Sequence, residues 1–238
     1  MANTFYAVST GPADRRFLTQ EADKALRKCR TIFYPVTKSA SNPHAAFDCI
    51  QDIVQSSEAE CKCINFSMTG DTYRTKSEYE DAASQIVHAL EKGNAAFISI
   101  GDVSIYSTAA RIAGIIEKTG FDTKFISGVP SFCAAACSLK LDLAQDNEEI
   151  RIIPGDAYYK KGNLCETLEK EGTKVIMKSS RYIREIIDII KKKNLINNAF
   201  LVHRAGYKDE SVFRAEEILH IPEDILNNAY MSIIYLIS

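Results

Sequence analysis

"AAFISIGDVSIYSTAARIAGII", residues 95–116, is the stretch on which the reading of the fold turns. Its opening is apolar and β-favouring, and Ala109, Ile112, Ala113 and Ile116 then recur at helical spacing. Between the two halves stands a Gly101-Asp102 turn, followed by Ser104, Ser107 and Thr108. Gly101 admits a backbone conformation closed to other residues, Asp102 supplies an acceptor, and the hydroxyls can cap an incoming helix. A strand passing through such a turn straight into a helix is the elementary step of a parallel α/β domain. The turn itself has two readings, a capped helix start with Asp102 or Ser104 as N-cap, or a ligand-binding turn.

The same step recurs on both sides. Upstream, "VSTGPADRRFLT" (8–19) runs from a strand through Gly11 and Pro12 toward a helix, and downstream "FISGVPSFCAAACSL" (125–139) does so through Gly128, Pro130 and Ser131. Strands are expected over 4–9, 31–35, 61–66, 95–100 and 123–127. Apolar stripes at Leu18, Ala22, Ala25, Leu26 and Cys29, at Phe47, Ile50, Ile53 and Val54, and at Tyr79, Ala83, Ile86 and Leu90 mark the helices between them. Ser77 and Glu80 have the spacing of a capping box for the third helix. Three strand-to-helix turns at one sheet edge would converge on one cleft, where α/β sheets bind ligands.

The polar, turn-rich stretch 138–156 reads as a linker opening a second domain, giving domains over 1–140 and 141–238. In the second, "KVIMK" (174–178) looks like a strand. Ile183, Ile186, Ile187 and Ile190 form a helical stripe ending in Lys191–Lys193, which suits the negative end of a helix dipole. "AFLVHRAG" (199–206), "SVFRAEEI" (211–218) and "YMSIIYLIS" (230–238) read as strands separated by turns, with an antiparallel close.

Composition narrows the function. The chain has 238 residues, with 29 Lys plus Arg against 31 Asp plus Glu, so it lacks the global basic field of a nucleic-acid binder. Seven cysteines without a paired CxxC spacing argue for reduced thiols in a cytoplasmic setting and against a disulfide framework or zinc ribbon. Cys61 and Cys63 alternate on one face of a strand and are expected to pack as core hydrophobes. No apolar run approaches the ~20 residues of a membrane span, and no signal-peptide pattern opens the chain. G-x-G-x-x-G, the P-loop, a metal-ligand cluster and a Ser-His-Asp order are all missing from the sequence. His44 and His203 have no ligand or dyad pattern around them.

Taken in order and spacing, "STGPADRRFLT", "NFSMTGDTYRTKSEYEDAASQI", "SIGDVSIYST", "ISGVPSFCAAA", "KVIMKSS", "VHRAG" and "YMSIIYLIS" resemble the S-adenosylmethionine-dependent tetrapyrrole (corrin/porphyrin) methyltransferases over essentially the whole chain. Within that superfamily, "FSMT", "GDxSIYST" and "SFCAAA" look most like the branch that methylates C-20 of precorrin-2 or cobalt-factor II in cobalamin biosynthesis. The resemblance implies an α/β fold of two α/β domains with a methyl-donor cleft between them, S-adenosylmethionine as the donor, a small tetrapyrrole substrate and a homodimer. It needs no metal, membrane or nucleic acid.

Carried over by motif, Pro12 belongs to the first loop beside the donor. Ile100, Gly101 and Asp102 lie under the donor, with Ile105 and Tyr106 on the same turn; Pro130 and Ser131 form the third loop. Met177 flanks the adenine side, and Ala205 and Gly206 make the second-domain contact. Asp102 and Tyr106 are the candidates for removing the ring proton. Arg15, Arg16, Arg74 and Arg111, with Lys38 and Lys76, are the candidates for binding substrate carboxylates. The chain departs from the family at three places. Gly-Pro-Gly-Asp-Pro reads Gly11-Pro12-Ala13-Asp14-Arg15, the proline after Gly-Asp is Val103, and the Pro-Gly before the third loop is Ser127-Gly128. Another corrin intermediate or a macromolecule as substrate, and a non-catalytic donor-binding paralogue, stand as rival readings.

Overall fold

The structure is a computed structural model and describes residues 3–36, 44–67 and 72–237. The chain divides into two compact units, Met1–Ser131 and Phe132–Ser238, ahead of the polar stretch at 138–156. Among the described residues of the first unit, β1 (Thr4–Ser9), β2 (Thr31–Val36), β3 (Glu60–Asn65), β4 (Ala95–Ser99) and β5 (Asp122–Ile126) form a sheet of order β3-β2-β4-β1-β5. Every pairing in it is parallel. Its helices are α1 (Gln20–Leu26), α2 (Ala45–Asp48), α3 (Gln51–Gln55), α4 (Thr72–Leu90) and α5 (Thr108–Ile116).

Both sheet faces are buried, which is why these strands read as apolar runs rather than as alternating patterns. Tyr6, Val8, Ile32, Ala96 and Ile98 pack against α1, α2 and α3 through Ala22, Leu26, Ala46, Ile50 and Ile53. Phe5, Ala7, Phe33 and Phe97 point the other way, onto Ala82, Ile86 and Leu90 of α4 and Ile112 and Ile116 of α5. From β1 the chain therefore leaves over one face toward β2, and from the adjacent β4 it leaves over the opposite face toward β5. Neighbouring strands whose connections diverge in this way open a crevice at their carboxyl ends, the usual ligand position in an open α/β sheet.

The second unit opens with α6 (Ser131–Leu139) and continues through β6 (Ile150–Pro154), α7 (Gly155–Lys161), α8 (Leu164–Leu168), β7 (Thr173–Met177), α9 (Ile183–Lys192), β8 (Ala199–His203), β9 (Ser211–Arg214), α10 (Glu223–Asn227) and β10 (Ser232–Leu236). Its sheet has the order β6-β7-β10-β8-β9, parallel only between β6 and β7. The isoleucine stripe of α9 covers one face, on Ile176, Leu201 and Ile234. On the other face Tyr235 donates its hydroxyl to the Phe132 carbonyl of α6 at 2.6 Å.

Four local expectations are corrected. The segment expected as a linker contains β6, an edge strand in which only Ile153 is buried, so its apolar signal is weak. The helix after the Gly-Asp turn is capped by Ser107, whose Oγ accepts from Ala109 N–H at 3.1 Å, and not by Asp102 or Ser104. Ser77 lies inside α4, which begins at Thr72, so it caps nothing. On β3, an edge strand, Cys63 is exposed and Cys61 half-buried, and Ile64 alone of its residues enters the core.

Candidate active site

Beyond the ends of β1 and β4 the two chains stay zipped. Thr10 N–H donates to Ser99 O at 2.9 Å, Gly11 N–H to Gly101 O at 3.2 Å, and Gly101 N–H back to Gly11 O at 2.8 Å. Gly101 takes φ +76°, a left-handed conformation that explains the glycine on backbone grounds alone. The third turn closes on the first two: a Cβ on Gly128 would stand 2.4 Å from Ser9 Cβ and 2.9 Å from Gly101 O. Thr19, the N-cap of α1, adds a bond from its hydroxyl to Ser127 O at 3.3 Å.

Asp102 fastens the second turn to the third. Its Oδ1 accepts from Ser104 N–H at 2.8 Å and Ser104 Oγ at 2.5 Å, and its Oδ2 from Ser127 Oγ at 2.8 Å and Gly128 N–H at 2.7 Å. The residue is 7% exposed. Burial alone would raise its pKa, but the bonds from Gly128, Ser104 and Ser127 together outweigh that, and the carboxyl lies below its ordinary value. An ionised carboxylate whose oxygens already serve four donors holds geometry and is ill-suited to taking a proton. Val103 N–H donates to Ser9 Oγ at 2.9 Å, and Ser107 Oγ to Ser99 Oγ at 3.2 Å, so the hydroxyls at both strand ends are used.

The structure thus brings Pro12, Ile100, Gly101, Asp102, Ile105, Tyr106, Pro130 and Ser131 to the carboxyl edge of one sheet. Pro12 is buried, Ile100, Ile105, Pro130 and Ser131 are half-buried, and Tyr106 is 44% exposed with a left-handed φ of +52°. In the second unit Met177 ends β7 and is half-buried, while Ala205 and Gly206 follow β8. Both places adjoin a left-handed non-glycine residue, Lys178 at φ +52° beside Met177 and Arg204 at φ +54° beside Ala205.

The cations are placed less simply. Arg15 pairs with Asp23 at 3.2 Å and with Asp52, and Arg16 pairs with Asp14 at 2.9 Å. Arg111 projects from the exposed side of α5, with its guanidinium 5.8 Å from the Tyr79 ring centroid. Lys76 lies on α4 beside Glu80 at 3.8 Å. Lys38 lies outside the described residues, as does the side chain of Arg74, whose backbone is in α4. His203 is buried and shares a hydrogen bond with Ser232 Oγ at 2.9 Å, and His44 is exposed, 5.9 Å from the Tyr34 ring. Among the described residues no group of three His, Cys, Asp or Glu could hold a metal, and no helix is long and apolar enough to cross a membrane.

The sequence alone assigns no role to the hydroxyls of Ser9, Thr19 and Ser127, which tie the turns together. Their only signal is the recurrence of small polar residues where each strand ends.

The sequence profile of the tetrapyrrole (corrin/porphyrin) methylases matches residues 4–218. The chain belongs to that family. A Methanocaldococcus jannaschii protein named "Probable cobalt-precorrin-2 C(20)-methyltransferase" is 29% identical over 209 residues, 87% of this chain and 85% of the relative. The Salmonella typhimurium protein named cobalt-precorrin-2 C(20)-methyltransferase is 23% identical over 217 residues, 90% of this chain and 89% of the relative. Among solved structures, a cobalamin biosynthetic cobalt precorrin-4 methyltransferase superposes with a TM-score of 0.72 at 16% identity, covering 98% of this chain and 93% of its own. The fold is therefore that of the tetrapyrrole methylases, whose methyl donor is S-adenosylmethionine.

The turns fit that donor. Residues 9–13, 99–109 and 126–131 contain no lysine or arginine, and the one ionised group among them that the fold buries is Asp102. A phosphate ligand would call for cations or a glycine-rich loop here, whereas a sulfonium is favoured by oxygen dipoles in apolar surroundings.

Proposed function

We propose that the chain methylates C-20 of precorrin-2 or of cobalt-factor II in cobalamin biosynthesis. The observation that carries this reading is the similarity, over about nine-tenths of the chain, to two proteins both named cobalt-precorrin-2 C(20)-methyltransferase. S-adenosylmethionine, when bound, supplies an electrophilic methyl group already activated by its sulfonium. The chain's residues have to orient the two reactants and exclude water, an effect worth up to ~7–11 kcal/mol in favourable intramolecular systems.

In this reading Asp102 holds the second and third turns in register under the donor, with Pro12, Gly101, Pro130 and Ser131 shaping the floor. Ile100 and Ile105 supply the apolar walls, and Met177, Ala205 and Gly206 enter through the family resemblance. Tyr106, exposed on the turn, is the candidate for receiving the ring proton after transfer. Arg15, Arg16, Arg74 and Arg111 are the candidates for the carboxylates of the macrocycle. For Arg15 this means exchanging Asp23 and Asp52 for substrate carboxylates. A cytoplasmic homodimer that uses no nucleic acid completes the proposal.

The test is incubation of the purified chain with methyl-labelled S-adenosylmethionine and either metal-free precorrin-2 or cobalt-factor II, with the labelled carbon located by NMR. Label at C-20 of one macrocycle supports the reading and tells which form is the substrate. Turnover of neither macrocycle, or label at a position other than C-20, refutes it.

A further inference from the structure

We infer that Glu210 is a positioning residue for the methyl donor, acting through the main chain of Gly206; this rests on the reading of residues 205–206 as a donor contact. Three observations meet in the loop that follows β8. First, the backbone there is left-handed twice: at Gly206, φ +81°, which a glycine adopts freely, and at Arg204, φ +54°, where a side chain makes it strained. Such conformations persist only where their surroundings over-determine them, and they cluster at ligand sites.

Second, the surroundings do over-determine this one. Arg204 Nε donates to Asp209 Oδ1 at 2.9 Å, and its guanidinium lies 4.2 Å from the Tyr207 ring centroid. Arg204 N–H is fixed to Met231 O at 3.2 Å, Tyr207 N–H to Arg204 O at 3.1 Å, and Glu210 N–H to Tyr207 O at 3.2 Å. Arg204 is only 15% exposed at its side chain while Asp209 is 65% exposed, so the pair fastens the loop at its solvent side.

Third, one carboxylate reaches the residue that matters. Glu210 Oε2 accepts from Gly206 N–H at 2.5 Å and from Ser138 Oγ of α6 at 3.1 Å. A charged acceptor on a backbone N–H gives a short, strong bond, and anchoring the same oxygen to a helix fixes where that N–H points. The loop is thereby folded before any ligand arrives, which lowers the ordering cost of binding. Glu210 need not touch the donor to control its affinity.

The test uses the full chain. In donor-free protein, Glu210→Ala is expected to speed hydrogen exchange at the Gly206 amide by about 10-fold or more, and in titrations with S-adenosylmethionine to raise the dissociation constant about 10-fold. The loss falls on the donor KM rather than on kcat. Glu210→Gln, which keeps an acceptor oxygen, is expected to recover affinity to within about threefold of the unmodified chain. Ser138→Ala, on an exposed stretch of α6, loosens the carboxylate without threatening the fold and is expected to cost about threefold. Unchanged Gly206 exchange in Glu210→Ala, or unchanged donor affinity in both Glu210→Ala and Ser138→Ala, overturns the inference. Failure of the unmodified chain to bind S-adenosylmethionine would instead overturn the functional reading, while the exchange measurement still decides whether Glu210 pins Gly206.

Discussion

Replacing Asp102 with asparagine should unfasten the second turn from the third while leaving the shape of the side chain intact. Each carboxylate oxygen serves one backbone N–H and one hydroxyl: Ser104 N–H and Oγ on Oδ1, Gly128 N–H and Ser127 Oγ on Oδ2. An amide nitrogen in either place faces a backbone N–H that cannot turn away, so one backbone bond is lost whichever way the group flips, and the bonds that remain are to a neutral group instead of a charged one. At ~1.5–3 kcal/mol for a bond to a charged group, offset by no longer burying a charge, the expected net loss is about 2–4 kcal/mol. Urea unfolding at pH 7 and at pH 3 measures it.

The pH dependence has a definite sign. The carboxyl is held below its ordinary value in the fold, so its stabilisation is complete above the unfolded value of about 3.9 and is lost as pH falls through the lowered one. Asparagine does not titrate, so the gap between the two proteins should shrink in acid. The affinity for S-adenosylmethionine at pH 7 should fall at least ~10-fold with the register of the turns. A gap as wide at pH 3 as at pH 7, or a variant with unaltered stability and donor affinity, would refute the assignment of Asp102 as the fastening.

Two further expectations test other parts of the frame. Gly128→Ala puts a Cβ 2.4 Å from Ser9 Cβ and 2.9 Å from Gly101 O, so the third turn must back away at a cost of about 1–3 kcal/mol; a melting temperature equal to that of the unmodified chain would show the three turns to be looser than described. His203 is pushed below its ordinary pKa by burial first and by the Arg204 cation second. Its neutral form therefore favours the fold, and stability should decline as pH drops below about 6.5. His203→Gln, which cannot charge, should flatten that decline in denaturation curves between pH 7.5 and 5, and an unchanged slope would place its origin elsewhere.

What the sequence reveals here depends on the range of the interaction. The first strand is found where its apolar run predicts, at Thr4–Ser9, because a strand buried on both faces is punctuated only at its ends. The α9 stripe is equally plain, since Ile183, Ile186, Ile187 and Ile190 meet one core. In β6 the charged Arg151 and a single buried residue leave no such signature. The Gly-Asp turn is legible as a site, but the work of Asp102 is not, because its partners Ser127 and Gly128 lie 25 and 26 residues away. With only local hydroxyls in view, Asp102 and Ser104 look like caps, and Ser107 takes that role because the helix begins directly after it, at Thr108. The arginines show the same limit from the other side. Their number near the first turn suggests free cations, whereas Asp52, which holds Arg15, comes from a different helix.

The departures from the family pattern bear on whether the site is intact, and Val103, Ala13, Arg15 and Ser127 each have a partner inside the chain. Where the family has a proline after Gly-Asp, Val103 has an N–H, and that N–H donates to Ser9 Oγ at 2.9 Å while the side chain, 1% exposed, joins the core beside α5. A proline would fix φ but could not make that bond, so the chain holds the turn by a cross-link to β1 instead of by ring stiffness. Ala13, in place of glycine, is buried at 4% exposure, and its carbonyl accepts from Cys49 Sγ at 3.3 Å. Arg15, in place of proline, ties the first turn to α1 and α3 through Asp23 and Asp52. Decay would leave buried polar groups at the turns without partners, since an unmade bond there costs ~1–3 kcal/mol and nothing would restore it. Instead the hydroxyls of Ser9, Ser104, Ser107 and Ser127 are all engaged around one buried carboxylate and the zipped Gly11–Gly101 pair. The turns are thus held together without the family's second glycine and prolines, by bonds to Ser9, Cys49, Asp23, Asp52 and Asp102.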